Sequence, residues 1–139
     1  MTCKPFIYAI NTATQNIDAG GSVDFDTNLV SGLGIFHVDG TPSFMIGRPG
    51  IYKITVDADV TVATATDNVE WQILNNGVPI ATGNFTGVAD ISIHEHLQSA
   101  VKVLHSCRVI DNKANIVVRF NNAVTVDNPT IIISLEKYL

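Results

Sequence analysis

Charge is scarce in these 139 residues: Asp, Glu, Lys and Arg supply 15% of the chain, against a usual share of about 25%. With 46% hydrophobic residues, that excludes disorder, which needs low hydrophobicity and high charge. Basic residues are the scarcest charges. Lys and Arg number 8 against 13 Asp and Glu, a net charge of -5. With no basic run to meet phosphates, nucleic acid is not an expected partner. Uninterrupted apolar runs are short, Ile131 to Ile133 among them, so no membrane span is expected. There are two cysteines, Cys3 and Cys107, and two do not make a disulfide framework. They either pair once or stay as thiols; the second is expected, with Cys107 in a buried strand. Met1-Thr2-Cys3-Lys4-Pro5 lacks the apolar segment of an ordinary secretory signal. The length suits one domain over 1–139, burying roughly 68% of the unfolded chain's surface without a staple.

What is abundant is β-branched. There are 16 Val, 16 Ile and 13 Thr against 7 Leu, side chains stiff at χ1 that suit a pleated sheet better than a helix. Residues 50–62 alternate cleanly. Tyr52, Ile54, Val56, Ala58, Val60 and Val62 share one parity; Lys53, Thr55, Asp57, Asp59 and Thr61 share the other. One face is therefore buried and the other solvated. Val69 to Leu74 precede Asn75-Asn76-Gly77, and Asn-Gly predicts a hairpin returning along 78–85. Ile116, Val118 and Phe120 share a face, with Asn121-Asn122 as a turn. Asp127-Asn128-Pro129 reads as another turn. Thr130 to Leu135 is almost wholly apolar, the pattern of a central strand covered on both sides. Phe6, Tyr8 and Ile10 alternate, as do Val23 and Phe25. Gly32-Leu33-Gly34 and Gly47-Arg48-Pro49-Gly50 are loops. Residues 91–104 carry both helical and strand spacing; a β-branched start and the lack of a helix cap favour a strand. Eight to ten short strands without internal repeats predict a sandwich or barrel.

Few constellations suggest chemistry. His94-Glu95-His96 puts two imidazoles on one strand face, a metal-ligand spacing. The cupin pattern fails beyond it: Leu97 to Val101 supply no carboxylate, and no glycine follows Gly87. A histidine cluster at a surface or subunit contact is the expected reading. His105 and Cys107 share a parity but lack the third group of a nucleophile pair. Asp57 and Asp59 sit on a solvent parity, where solubility and edge protection are favoured over acid–base work or calcium. Trp71 is expected in the core rather than as a sugar platform. Asn84-Phe85-Thr86 is a lone glycosylation sequon. No enzyme, metal or cofactor is expected.

Several segments, in order, resemble the C-terminal globular domain of the Bacillus collagen-like spore surface glycoproteins, among the tumour necrosis factor-like and complement-head-like jelly rolls. They are Gly50-Ile51-Tyr52-Lys53-Ile54-Thr55-Val56, Asn76-Gly77-Val78-Pro79-Ile80, and Thr130-Ile131-Ile132-Ile133-Ser134-Leu135-Glu136-Lys137. Tyr8-Ala9-Ile10-Asn11 resembles the first strand and Val23-Asp24-Phe25-Asp26 the next segment. The resemblance implies an all-β, ten-strand jelly-roll sandwich forming a tight homotrimer. Such heads are non-enzymatic, trimerise stalks and cap fibres; similar ones occur on phage fibres and capsid decorations. This sequence carries no Gly-X-Y stalk, which leaves open an excised head and a stand-alone gene. The implied setting is the outside of a spore or virion. The positive mean hydropathy agrees, since apolar surface left over from one core is buried by an oligomer.

In related heads the inner sheet, including the long strand before the last two, faces the threefold axis. If residues 91–104 are that strand, His94, His96 and Gln98 ring the axis. Such a ring gains charge as pH falls through about 6.5, and the repulsion is expected to loosen the trimer in acid. A second expectation is an adhesin holding a surface glycan or host receptor in loops 61–68 and 121–129 of the same scaffold.

Overall fold

The structure is a computed structural model that describes residues 4–104 and 113–139. Cys3, His105 and Cys107 lie outside the described residues, and with them the disulfide and Cys–His expectations.

The described chain forms β1 (Phe6–Ile10), β2 (Gln15–Ile17), β3 (Thr27–Ser31), β4 (Ile35–His37), β5 (Phe44–Ile46) and β6 (Gly50–Thr61). It continues with β7 (Thr66–Asn75), β8 (Val78–Gly87), β9 (Ile93–Val103), β10 (Ala114–Phe120) and β11 (Val124–Lys137). Two antiparallel sheets result. Sheet A runs β3-β1-β11-β6-β9 and sheet B runs β4-β5-β10-β7-β8. These are the ten strands of the expected sandwich; three-residue β2 is an addition on β11.

The core lies between the sheets and follows the period-two pattern. On β6 the buried residues are Tyr52, Ile54, Val56, Ala58 and Val60, each alternate side chain turning inward. Phe25 meets Phe44 edge-on at 5.3 Å between ring centroids. Trp71 stacks on Phe120 at 5.2 Å and is buried, so it is a core residue. The Tyr52 hydroxyl donates to the Arg48 carbonyl at 2.9 Å, giving its buried polar end a partner. Burying each of these large side chains contributes on the order of 1.5–3 kcal/mol.

The edges of the sandwich are tied across the two sheets. Ser99 Oγ on β9 donates to the Ile80 carbonyl on β8 at 3.0 Å. At the far edge Asn28 Nδ2 donates to the His37 carbonyl at 3.1 Å, and His37 Nδ1 lies 2.6 Å from Asn28 Oδ1. His37 also stacks on Phe44 at 4.1 Å.

The hairpin at Asn76-Gly77 is as expected: both residues have positive φ (51° and 80°), as a two-residue primed turn requires. Residues 91–104 are indeed a strand, β9. Asp127-Asn128-Pro129 is not a turn. Asn128 takes φ 49°, but the chain runs on, with a bulge between Asp127 and Thr130 against β6. Asn tolerates the left-handed conformation locally, and Pro129 has no N–H to give the ladder, so the segment becomes a bulge instead of reversing the chain. β11 therefore spans 14 residues.

Thr130 to Leu135 also differ from expectation. Ile131, Ile133 and Leu135 are buried, whereas Thr130, Ile132 and Ser134 are only half-buried. β11 is central in sheet A, yet among the described residues no strand covers its outer side.

Candidate functional site

The outer face of sheet A is the surface that the fold assembles from the most strands. Register places its side chains in rows. Val30, Tyr8, Ile132, Thr55 and Gln98 stand side by side across β3, β1, β11, β6 and β9. The next row reads Ile10, Thr130, Asp57, His96, and the one beyond it Asp127, Asp59, His94. On the other side lie Phe6, Ser134, Lys53 and Ala100. The face thus has two halves. Over β3 and β1 it carries an apolar patch that reaches Ile132 on β11, with Phe6, Tyr8, Ile10 and Ile132 half-buried and Val30 51% exposed; Ser134, Thr130 and Asp127 border it on β11. Over β6 and β9 it is polar and ionisable.

β9 alternates as a strand of an open face must. Leu97, Val101 and Val103 turn toward the core, whereas His94, His96 and Gln98 are exposed. All three predicted axis residues share the outer face. The structure brings two of them, His94 and His96, into one cluster with aspartates; Gln98 stands one row away beside Thr55.

The cluster is built by register. Asp59 lies opposite His94 and Asp57 opposite His96. His94 Nδ1 is 2.8 Å from Asp59 Oδ1, and His96 Nδ1 is 2.9 Å from Asp57 Oδ1. Because a carboxylate only accepts, both Nδ1 atoms are donors. His94 Nε2 lies 3.4 Å from Asp57 Oδ1, so the His94 ring is set between two carboxylates. Asn128 Nδ2 donates to the second oxygen of Asp59 at 3.3 Å. Asp127 stands opposite Asp59 on the other side of β6 and accepts from Thr14 Oγ1.

The electrostatics follow from these contacts. The hydrogen bond to Asp59 raises the His94 pKa above its ordinary 6.5, with the Asp59 and Asp57 charges adding to it. The bond from His94 holds Asp59 below its ordinary 3.8, assisted by Asn128. Glu95, on the opposite side of β9, is raised by burial.

Asp57 and Asp59 are solvent-facing, as their parity indicates, but they protect no edge, because β6 has β11 and β9 on its two sides. Their pairing with the histidines is what sequence reading missed. The signal was two complementary doublets, Asp-x-Asp and His-x-His, each with the spacing that puts both members on one strand face. Among the described residues no group of three or more His, Cys, Asp and Glu side chains is placed to hold a metal ion.

The loop expectations shrink. β6 runs to Thr61 and β7 starts at Thr66; β10 ends at Phe120 and β11 starts at Val124. Residues 62–65 and 121–123 are what remains of loops 61–68 and 121–129. They meet around an open depression of about 210 Å³ lined by residues that include Asn16, Asp18, Thr61, Ala63, Ala123 and Thr125. Asn84 of the sequon is exposed on β8. Among the described residues no helix is long and apolar enough to cross a membrane.

No family model and no curated protein matches the sequence. Solved structures do match in shape. The globular domain of zebrafish complement 1qA protein aligns with a TM-score of 0.62 at 13% identity, covering 98% of this chain and 100% of that one. PRD1 vertex protein P5 aligns at 0.62 and 12% identity, over 97% and 99%. Murine APRIL at pH 5.0 aligns at 0.64 and 12% identity, over 95% and 99%. At such identities the likeness concerns shape alone. The chain has the all-β, two-sheet jelly-roll fold of the tumour necrosis factor-like and complement-head-like domains.

Proposed function

We propose that residues 1–139 form one non-enzymatic structural head domain that assembles as a homotrimer on the outer surface of a particle, a spore surface or a virion. The observation that carries this reading is the apolar half of the outer face of sheet A. Tyr8 and Ile132 are adjacent there, flanked by Phe6, Ile10 and Val30, and among the described residues no strand lies over them. Such a patch is expected to be an interaction site. Ile131-Ile132-Ile133 has the composition of a strand covered on both sides, and a sister chain supplies the missing cover. The resemblance to trimeric heads and the similarity in shape to a complement globular domain and to a vertex protein support the same assignment.

The test is the mass in solution of the chain and of Ile132→Glu. The chain is expected as a trimer and the variant as a folded monomer. Spore-coat or virion genes beside this gene would assign the particle.

A second reading, a receptor- or carbohydrate-binding adhesin, is favoured by one feature: loops 62–65 and 121–123 converge on the same depression. Glycan-array binding lost on substitution of Asn16 or Thr125 would support it, and a clean array would leave the structural role.

A further inference from the structure

We propose that the Asp57, Asp59, His94 and His96 cluster is a proton-binding element of the assembly face, so that self-association takes up protons and tightens as pH falls toward 6. The inference rests on the assembly reading above and adds its regulation.

Three geometric facts carry it. First, the cluster shares one sheet face with the apolar patch. Asp57 is next to Thr130, which is next to Ile10, so a partner seated on Tyr8 and Ile132 approaches the aspartates as well. Second, carboxylates outnumber imidazoles. Asp127 on β11 lies across from Asp59, so three acids face two histidines. With neutral imidazoles this part of the face has a net charge of minus three; with both protonated it has minus one. Bringing like-charged copies together in a low-dielectric contact is costly, and protonation lowers that cost without overshooting to a positive face. Third, His94 is set for the doubly protonated form. Its Nδ1 is 2.8 Å from Asp59 and its Nε2 is 3.4 Å from Asp57. A neutral ring turns a lone pair toward the second carboxylate, whereas an imidazolium keeps the hydrogen bond to Asp59 and is attracted by the charge of Asp57.

The remaining charged neighbours do not reverse this. Lys53 on β6 is paired with Ala100, two rows from Asp57. Lys102 lies further along β9, and Glu95 points to the other side of that strand. On β11 the groups facing the cluster are Asp127, Asn128 and Thr130. With these carboxylates beside the histidines, the proposal carries the opposite sign to the expectation that a histidine ring loosens the trimer in acid.

Sedimentation of the full chain at about pH 5.5 and pH 8.0, at fixed ionic strength and with or without EDTA, tests the inference. Trimer association is expected to be at least about tenfold tighter at the lower pH, and unchanged by EDTA. The His94→Gln, His96→Gln double variant is expected to keep the weaker, high-pH behaviour throughout. The Asp57→Asn, Asp59→Asn double variant is expected to show no gain in acid. Circular dichroism confirms folding; all four side chains lie on the open face, and either double variant suffices. A trimer indifferent to pH, loosened by acid or loosened by EDTA overturns the inference and leaves the assembly reading standing. A monomer at both pH values overturns both.

Discussion

Ile132 and Ile133 are adjacent in sequence and point to opposite sides of the same strand: Ile133 is buried in the core, and Ile132 lies beside Tyr8 on the open outer face. A strand turns each neighbour through half a revolution, so one step along β11 crosses from folding energetics to assembly energetics. Ile133→Ala is expected to cost about 2–5 kcal/mol of protomer stability, read as a lower denaturation midpoint. Ile132→Glu is expected to leave that midpoint nearly unchanged and abolish self-association.

Gly83 stands across from Trp71 on β8. A Cβ there would lie 2.6 Å from Trp71 Nε1 and 3.4 Å from Leu97 Cδ1. The indole is held by its stack on Phe120 and has little room to yield. Gly83→Ala is expected to destabilise by about 1–3 kcal/mol, with a changed tryptophan emission spectrum. Unaltered stability would contradict this packing.

The turn makes a separate claim about backbone. Gly77 has φ 80°, and a Cβ there would meet nothing within 4 Å. Gly77→Ala therefore carries only conformational strain, expected at about 1 kcal/mol. Chemical denaturation measures it directly.

The His94–Asp59 pair also gives the protomer a pH dependence of its own, separable in the Ile132→Glu background. The raised His94 pKa means its contribution is full below about 6.5 and is lost as pH rises through the folded value. The lowered Asp59 pKa means its contribution is present above about 3.8 and is lost as pH falls through the folded value. Stability from this pair is therefore greatest between those limits. Both partners are substantially exposed, so the effect is at most about 1 kcal/mol. Urea midpoints are expected to decline as pH rises from about 6.5 in the His94 protein. That component should be missing in His94→Gln.

Much of this was legible beforehand, and for a definite reason. The alternation of Tyr52 to Val62 reports which side chains share a face, and Asn76-Gly77 reports a reversal; both depend on neighbouring residues only. Asp127-Asn128-Pro129 carries the same local signals as a turn, but Asp127 and Thr130 on its two sides both stay paired with β6, and the strand goes on. The Asp–His cluster was less accessible still. Each doublet's parity could be read, but β6 and β9 are separated in sequence by the whole β7–β8 hairpin. Period-two patterning does not say which strand lies alongside which, and the one-residue register that sets Asp59 against His94 emerges only when the sheet closes.

Sedimentation equilibrium of the full chain at micromolar concentration and about pH 6 tests the central claim most directly. A single species of three times the chain mass, reduced to one chain mass by Ile132→Glu, is the predicted result. A well-behaved monomer of the unaltered chain would contradict it.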